Sequence, residues 1–127
     1  MATSRITAIG QISINVHDMP RAVGFYRDVL GLKHLFDAGP NLSFFDCGGV
    51  RLMLGFAEKP EFNHPGSILY YKVADIAAAH AKLVARGVRF EDQPHIVAPM
   101  PTYDLWMTFA RDTEGNMFAL MAEMAKA

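Results

Sequence analysis

From Gln11 to Val16 the chain alternates strictly: Ile12, Ile14 and Val16 share one side, and Gln11, Ser13 and Asn15 share the other. This period of two predicts a half-buried strand over residues 8–16. Asp18 stands where a helix N-cap belongs, with Pro20 tolerated in the first turn. Ala22, Val23, Tyr26, Val29 and Leu30 then recur at helical spacing, and Gly31 supplies the stop. Three short strands are predicted next, over 32–38, 42–47 and 50–56. The turn signals Gly39-Pro40-Asn41 and Gly48-Gly49 separate them.

After a polar connector at 57–66, AEKPEFNHPG, the pattern restarts. Residues 67–74 read as a strand, and Asp75 caps a second helix whose inner face carries Ile76, Ala79 and Leu83 and which Gly87 ends. Strands over 88–91, 103–111 and 116–123 complete the second unit, with the hairpin turn Arg111-Asp112-Thr113-Glu114-Gly115-Asn116 before the last of them. The halves align at an offset of 57 early on, matching Val16 with Val73, Asp18 with Asp75 and Ala22 with Ala79. Later Gly49 matches Gly115 and Leu52 matches Phe118, so the extra length of the second half falls at 92–102, DQPHIVAPMPT. Its prolines Pro94, Pro99 and Pro101 predict a stiff, extended loop. A unit repeated only twice is not a solenoid. The pattern predicts an α+β fold: residues 1–127 form one domain, built of βαβββ modules 8–56 and 67–123, whose half-sheets pack together to bury their apolar faces.

Composition narrows the function classes. The net charge is −1 and there is no basic run, which argues against nucleic acid or an anionic membrane surface as partner. No apolar stretch approaches the about 20 residues that span a bilayer. The opening MATSRITAIG lacks the apolar core of a signal peptide, so a cytoplasmic location is the expectation. Cys47 is the only cysteine, which suits a reducing compartment and reads as a packing residue.

The segment NVHDMPRAVGFYRDVLGL and the closing hairpin FARDTEGNMFAL resemble the vicinal oxygen chelate superfamily, which includes glyoxalase I, fosfomycin and bleomycin resistance proteins and extradiol dioxygenases. The resemblance covers residues 8–123. It implies two βαβββ modules forming curved mixed sheets around a cleft, and a homodimer, since many members pair two chains. It also implies where a metal would sit. The family's four ligand positions fall here on Gln11, Met53, Ile68 and Ala119. Met53 offers a soft thioether, Ile68 and Ala119 offer no donor, and one amide does not hold a divalent ion. The neighbours Leu52, Leu54, Leu69, Phe118 and Leu120 are apolar, so a one-residue slip restores nothing. The expectation is that the family metal site is lost and that no cofactor is bound.

Alternation places Gln11, Ser13, Asn15, Arg51, Met53, Ile68, Tyr70, Lys72, Ala119 and Met121 on the cleft side. The resemblance to fosfomycin resistance proteins adds Leu105, Met107 and Phe109. An apolar, sulfur-rich and aromatic lining with a few polar groups suits a small-molecule ligand. Each residue also has a plainer reading. Met53, Met107 and Met121 serve equally as core filler, Ser13 and Asn15 as solvated positions, and Arg51 and Lys72 as rim charges. Trp106 reads as packing against a helix. Of the five histidines only His95, in the long insert, is a candidate catalytic group, with Asp104 to orient it; an exposed or capping role is its alternative. Three functions follow. One is a metal-free protein that binds a small apolar or aromatic molecule. The second is a glyoxalase-like lyase, isomerase or transferase, or a dioxygenase, with an absent or shifted metal site such as Gln11, His95 and Asp104. The third is an interaction subunit whose cleft is filled by its own Met and Phe side chains.

Overall fold

The computed structural model describes residues 4–126. The first module runs β1 (Gln11–Asn15), α1 (Met19–Gly24), β2 (Lys33–Asp37), β3 (Leu42–Cys47) and β4 (Val50–Gly55). The second runs β5 (Leu69–Lys72), α2 (Ile76–Ala85), β6 (His95–Pro99), β7 (Tyr103–Arg111) and β8 (Met117–Ala125). The sheets have the orders β1-β4-β3-β2 and β5-β8-β7-β6. In each, the first strand lies parallel to the last and the other pairings are antiparallel. The repeat seen in the sequence is therefore a repeat of topology.

Both helices start as their residues dictate. Asp18 accepts a hydrogen bond from the Arg21 N–H at 3.1 Å, and Asp75 from the Ala78 N–H at 3.1 Å, each satisfying a donor the helix leaves orphaned. Gly31 and Gly87 follow the helices with φ of +78° and +93°, backbone that other residues enter at a cost. The first helix departs from the expected regular run: residues Phe25–Val29 form a wider π-helical turn, with Leu30 N–H bonded to the Phe25 carbonyl at 2.9 Å. Both Phe25 and Tyr26 are buried there.

The apolar sides of both sheets and the two helices share one core. Tyr26, Phe45, Leu52 and Leu54 from the first module meet Ala110, Phe118 and Leu120 from the second. Phe118 takes edge contacts from Phe25 and Tyr71, at centroid distances of 6.0 and 5.8 Å. Trp106 packs against this cluster, as expected.

The strand expected at 88–91 is corrected. Only Phe90 pairs there, in one bridge to Ala110, and the edge strand proper is β6, inside the insert expected to be a loop. The two stretches follow one another along β7, interrupted at residues 92–94. At the break the Asp92 carboxylate accepts from the Thr108 hydroxyl (2.7 Å) and the Phe109 N–H (2.9 Å), occupying donors of β7 itself. Proline is tolerated in β6 because its outer edge has no strand to bond.

Candidate functional site

Strand register fixes which of the expected residues are neighbours. In the first sheet Gln11 stands opposite Arg51, and Ser13 opposite Met53, which in turn faces Phe44. The Gln11 amide is used at both ends: its oxygen accepts from Arg51 Nε at 2.9 Å, and its nitrogen lies 3.5 Å from Met53 Sδ. Arg51 lies over the Phe44 ring at 5.2 Å, and Phe44 stacks on Phe36 at 4.6 Å. Arg51 is thus a tethered cation rather than a free rim charge.

In the second sheet Ala119 is flanked in register by Tyr70 and Phe109, and Met121 by Lys72 and Met107. The Tyr70 and Phe109 rings meet edge-on at 5.9 Å, and Ala119 is fully buried. Ala119 therefore forms the floor of this face, beyond reach while the rings touch. Tyr70 itself is 45% exposed. Lys72 Nζ lies 3.8 Å from Glu123.

Two predicted residues have other employment. Asn15 donates through its amide nitrogen to the carbonyl of Phe62 and, at 2.9 Å, to that of His64, so it pins the connector. Asp104 accepts from Lys126 Nζ at 2.7 Å and does not orient His95. His95 is paired in register with Met107, while its Nδ1 lies 2.8 Å from the Gln93 carbonyl oxygen and 3.9 Å from the Asp92 carboxylate. Gln11, His95 and Asp104 are held by separate partners, and the shifted metal set is not brought together. His80 is half-buried against the Phe90 ring at 4.3 Å.

Ser13 and Ile68 are brought together. They border a cavity of about 440 Å³ between β1 and β5, walled by Ile12, Tyr26, Tyr71 and Phe118. Gln11, Met53 and Ala119 do not line this cavity. The amide, thioether, sec-butyl and methyl groups at the four family ligand positions do not fit a divalent cation. Among the described residues, no three His, Cys, Asp or Glu side chains gather where an ion would be held.

The residues that sequence reading passed over lie behind the face, in the β7–β8 hairpin. Asp112 is 6% exposed and its carboxylate accepts from the Tyr26 hydroxyl (2.6 Å), the Glu114 and Asn116 N–H groups (both 2.8 Å) and the Asn116 amide (3.0 Å). Burial, then the neighbouring Tyr71 and Asp112, pushes the Tyr26 hydroxyl far above its ordinary range, so it acts only as a donor. Glu114 accepts from the backbone N–H groups of His17 (2.6 Å) and Asp18 (2.9 Å), from Arg21 Nε (2.9 Å) and from Thr113 (2.8 Å). Burial alone would raise its pKa, but these donors outweigh it and hold the carboxyl at about 2. Asn116 also donates to the Asn15 carbonyl at 2.9 Å. The Asp-x-x-Gly spacing announced a turn; that the turn latches onto α1 of the other module was not visible in it.

Fold and sequence agree on the class. The family profile of the Glyoxalase/Bleomycin resistance protein/Dioxygenase superfamily matches residues 8–120, and the chain belongs to that family. A member of the superfamily from Sphaerobacter thermophilus DSM 20745 is 28% identical, with a TM-score of 0.77 over 93% of this chain and 98% of that one. A lactoylglutathione lyase from Agrobacterium tumefaciens is 22% identical, with a TM-score of 0.68 over 92% and 94%. A putative glyoxalase family protein from Bacillus anthracis is 16% identical, with a TM-score of 0.76 over 96% and 99%. The last two share the fold alone. Among the described residues no helix is long and apolar enough to cross a membrane.

Proposed function

We propose that this chain is a metal-free member of its superfamily that binds a small apolar or aromatic molecule on the concave face, as a homodimer in the cytoplasm. The observation that carries the reading is the chemistry of that face. Met53 pairs with Phe44 in the first sheet, and Met107 and Met121 lie beside Tyr70 and Phe109 in the second, while the positions that the resemblance assigns to metal ligands hold Gln11, Met53, Ile68 and Ala119. Unbranched thioethers reshape around a ligand, and aromatic rings stack on one. Phe36 and Tyr70, 47% and 45% exposed, are the kind of apolar surface that a second copy would cover in making a closed groove. A lone cysteine fits a reducing compartment.

Two titrations test the reading. Chelator-treated protein is titrated by calorimetry with Zn, Ni, Mn and Fe(II), and no stoichiometric uptake is expected; one tightly held ion per chain would overturn it. The metal-free protein then receives 1-naphthol while its methionine methyl signals are followed by NMR. Met53, Met107 and Met121 should shift together and saturably, in a particle of twice the 14.1 kDa chain mass.

A second reading has its own support. The Tyr70–Phe109 contact covers Ala119, and Gln11, Met53 and Ala119 do not line the cavity that Ser13 and Ile68 border. In that reading the face is a subunit surface with no small ligand. Methionine signals that ignore 1-naphthol but change on dilution of the dimer would favour it.

A further inference from the structure

The concave face carries its charge unequally. In the second sheet each cation has a carboxylate: Lys72 Nζ lies 3.8 Å from Glu123, and Arg111 Nε 3.0 Å from Glu91. In the first sheet Asp46 stands in register between Lys33 and Arg51, two cations to one carboxylate on the same side of the strands. Among the described residues, neither cation forms an ion pair with Asp46 or with any other carboxylate. Arg51 leans on neutral groups instead. The Gln11 oxygen accepts from its Nε at 2.9 Å, and the Phe44 ring carries the guanidinium at 5.2 Å. These two contacts orient the guanidinium, and its Nη groups have no hydrogen-bond acceptor among the described residues. A fork oriented in this way fits a planar, two-oxygen anion, and orienting it beforehand lowers the ordering cost of binding. Met53 is its apolar neighbour. The Met53 Sδ lies 3.5 Å from the same Gln11 amide, and the residue follows Arg51 by two positions on β4, about 7 Å along the strand. That spacing is comparable to the length of an aryl carboxylate.

We propose that the molecule bound on the concave face is an aromatic carboxylate, with its carboxylate on the Arg51 Nη groups and its ring over Met53. The inference rests on the reading of that face as a ligand site, and adds the charge and the direction of the ligand. One open guanidinium fork matches a single carboxylate. A dianion such as a phosphate monoester would leave charge unmet beside Asp46.

The test is a calorimetric titration of the chelator-treated full chain with 1-naphthoate and with its neutral isostere 1-naphthamide, while the Met53 methyl signal reports where each binds. 1-Naphthoate should bind about tenfold more tightly, the scale of a hydrogen bond to a charged partner. Gln11→Glu should erase that preference, because it keeps the shape and the tether but gives Arg51 a carboxylate of its own. Arg51→Gln should erase it too. Both positions are exposed, so each variant should fold and keep its affinity for 1-naphthamide within about twofold. If both probes shift Met53 and bind the wild type equally, the face stands as a ligand site and this inference alone is overturned. If neither probe shifts Met53, the reading of the face falls and the inference falls with it. A preference for 1-naphthoate that survives both substitutions would put the carboxylate elsewhere and would also overturn it.

Discussion

The two modules share a topology and a pair of aspartate N-caps, yet they are held to each other unequally. In the second module the β7–β8 hairpin carries Asp112 and Glu114, and Glu114 reaches the start of α1 in the first module. In the first module the equivalent β3–β4 turn is only Gly48-Gly49, and Asp46, aligned with Asp112, makes none of those bonds. The start of α2 therefore has its Asp75 cap but, among the described residues, no carboxylate reaching it from across the seam. The concave faces differ in the same way. Asn15 pins the connector, whereas Lys72, aligned with it, sits near Glu123 within its own sheet. The two sheets repeat one topology, while the fastening sits on one hairpin and one amide.

The largest test of this asymmetry is the pair Asp112→Ala and Asp46→Ala. Removing Asp112 takes the acceptor from the buried Tyr26 hydroxyl and from two part-buried backbone N–H groups. It should cost about 3–4 kcal/mol in urea unfolding, by the penalty for leaving buried donors unpaired. Asp46→Ala removes no such set and should cost less than about 0.5 kcal/mol, as for ordinary surface changes. Equal costs would mean that the latch contributes nothing the short turn lacks.

Glu114→Gln is the next largest and has a pH signature. The carboxyl titrates at about 2 in the folded chain against an ordinary 4.5. A depressed folded pKa stabilises most above the unfolded value, and the contribution is lost as pH falls from about 4.5 to about 2. At neutral pH the variant should lose on the order of 1–3 kcal/mol. The gap between wild type and variant should then close as pH approaches 2. A gap of constant size across that range would show that the charge of Glu114 is not what fastens the modules.

These contrasts also mark what could be read in the sequence. Strand periodicity, both caps and both glycine stops are local signals, and the chain obeys them. Sorting Gln11, Ser13, Arg51 and Met53 onto one face needed only alternation. The missed features depend on which distant groups meet. Glu114 and Arg21 are far apart in the chain, and only the packed modules bring them together. β6 was hidden because Pro99 within it, and Pro94 and Pro101 on either side, speak against a strand, and because the Asp92 break displaces its pairing from the expected 88–91. The depth of Ala119 follows from two rings meeting over it, which alternation does not register.

The smallest effect sharpens the comparison at the concave face. Asn15→Ala removes the two bonds to Phe62 and His64 but leaves the buried core untouched, so global stability should fall by only about 1 kcal/mol. The local consequence should be larger. The connector at 57–66 has no strand partner and one short 3-10 turn, Pro60–Phe62, so the Asn15 amide is a main tie to the first sheet. Amide exchange in the Phe62 and Asn63 region should therefore accelerate about tenfold more than in β3 or β8, where opening requires the whole sheet to part. Lys72→Ala, at the aligned position, should leave connector exchange unchanged. If both substitutions speed it alike, the connector answers to the general stability of the faces, and the assignment of a pinning role to Asn15 is wrong.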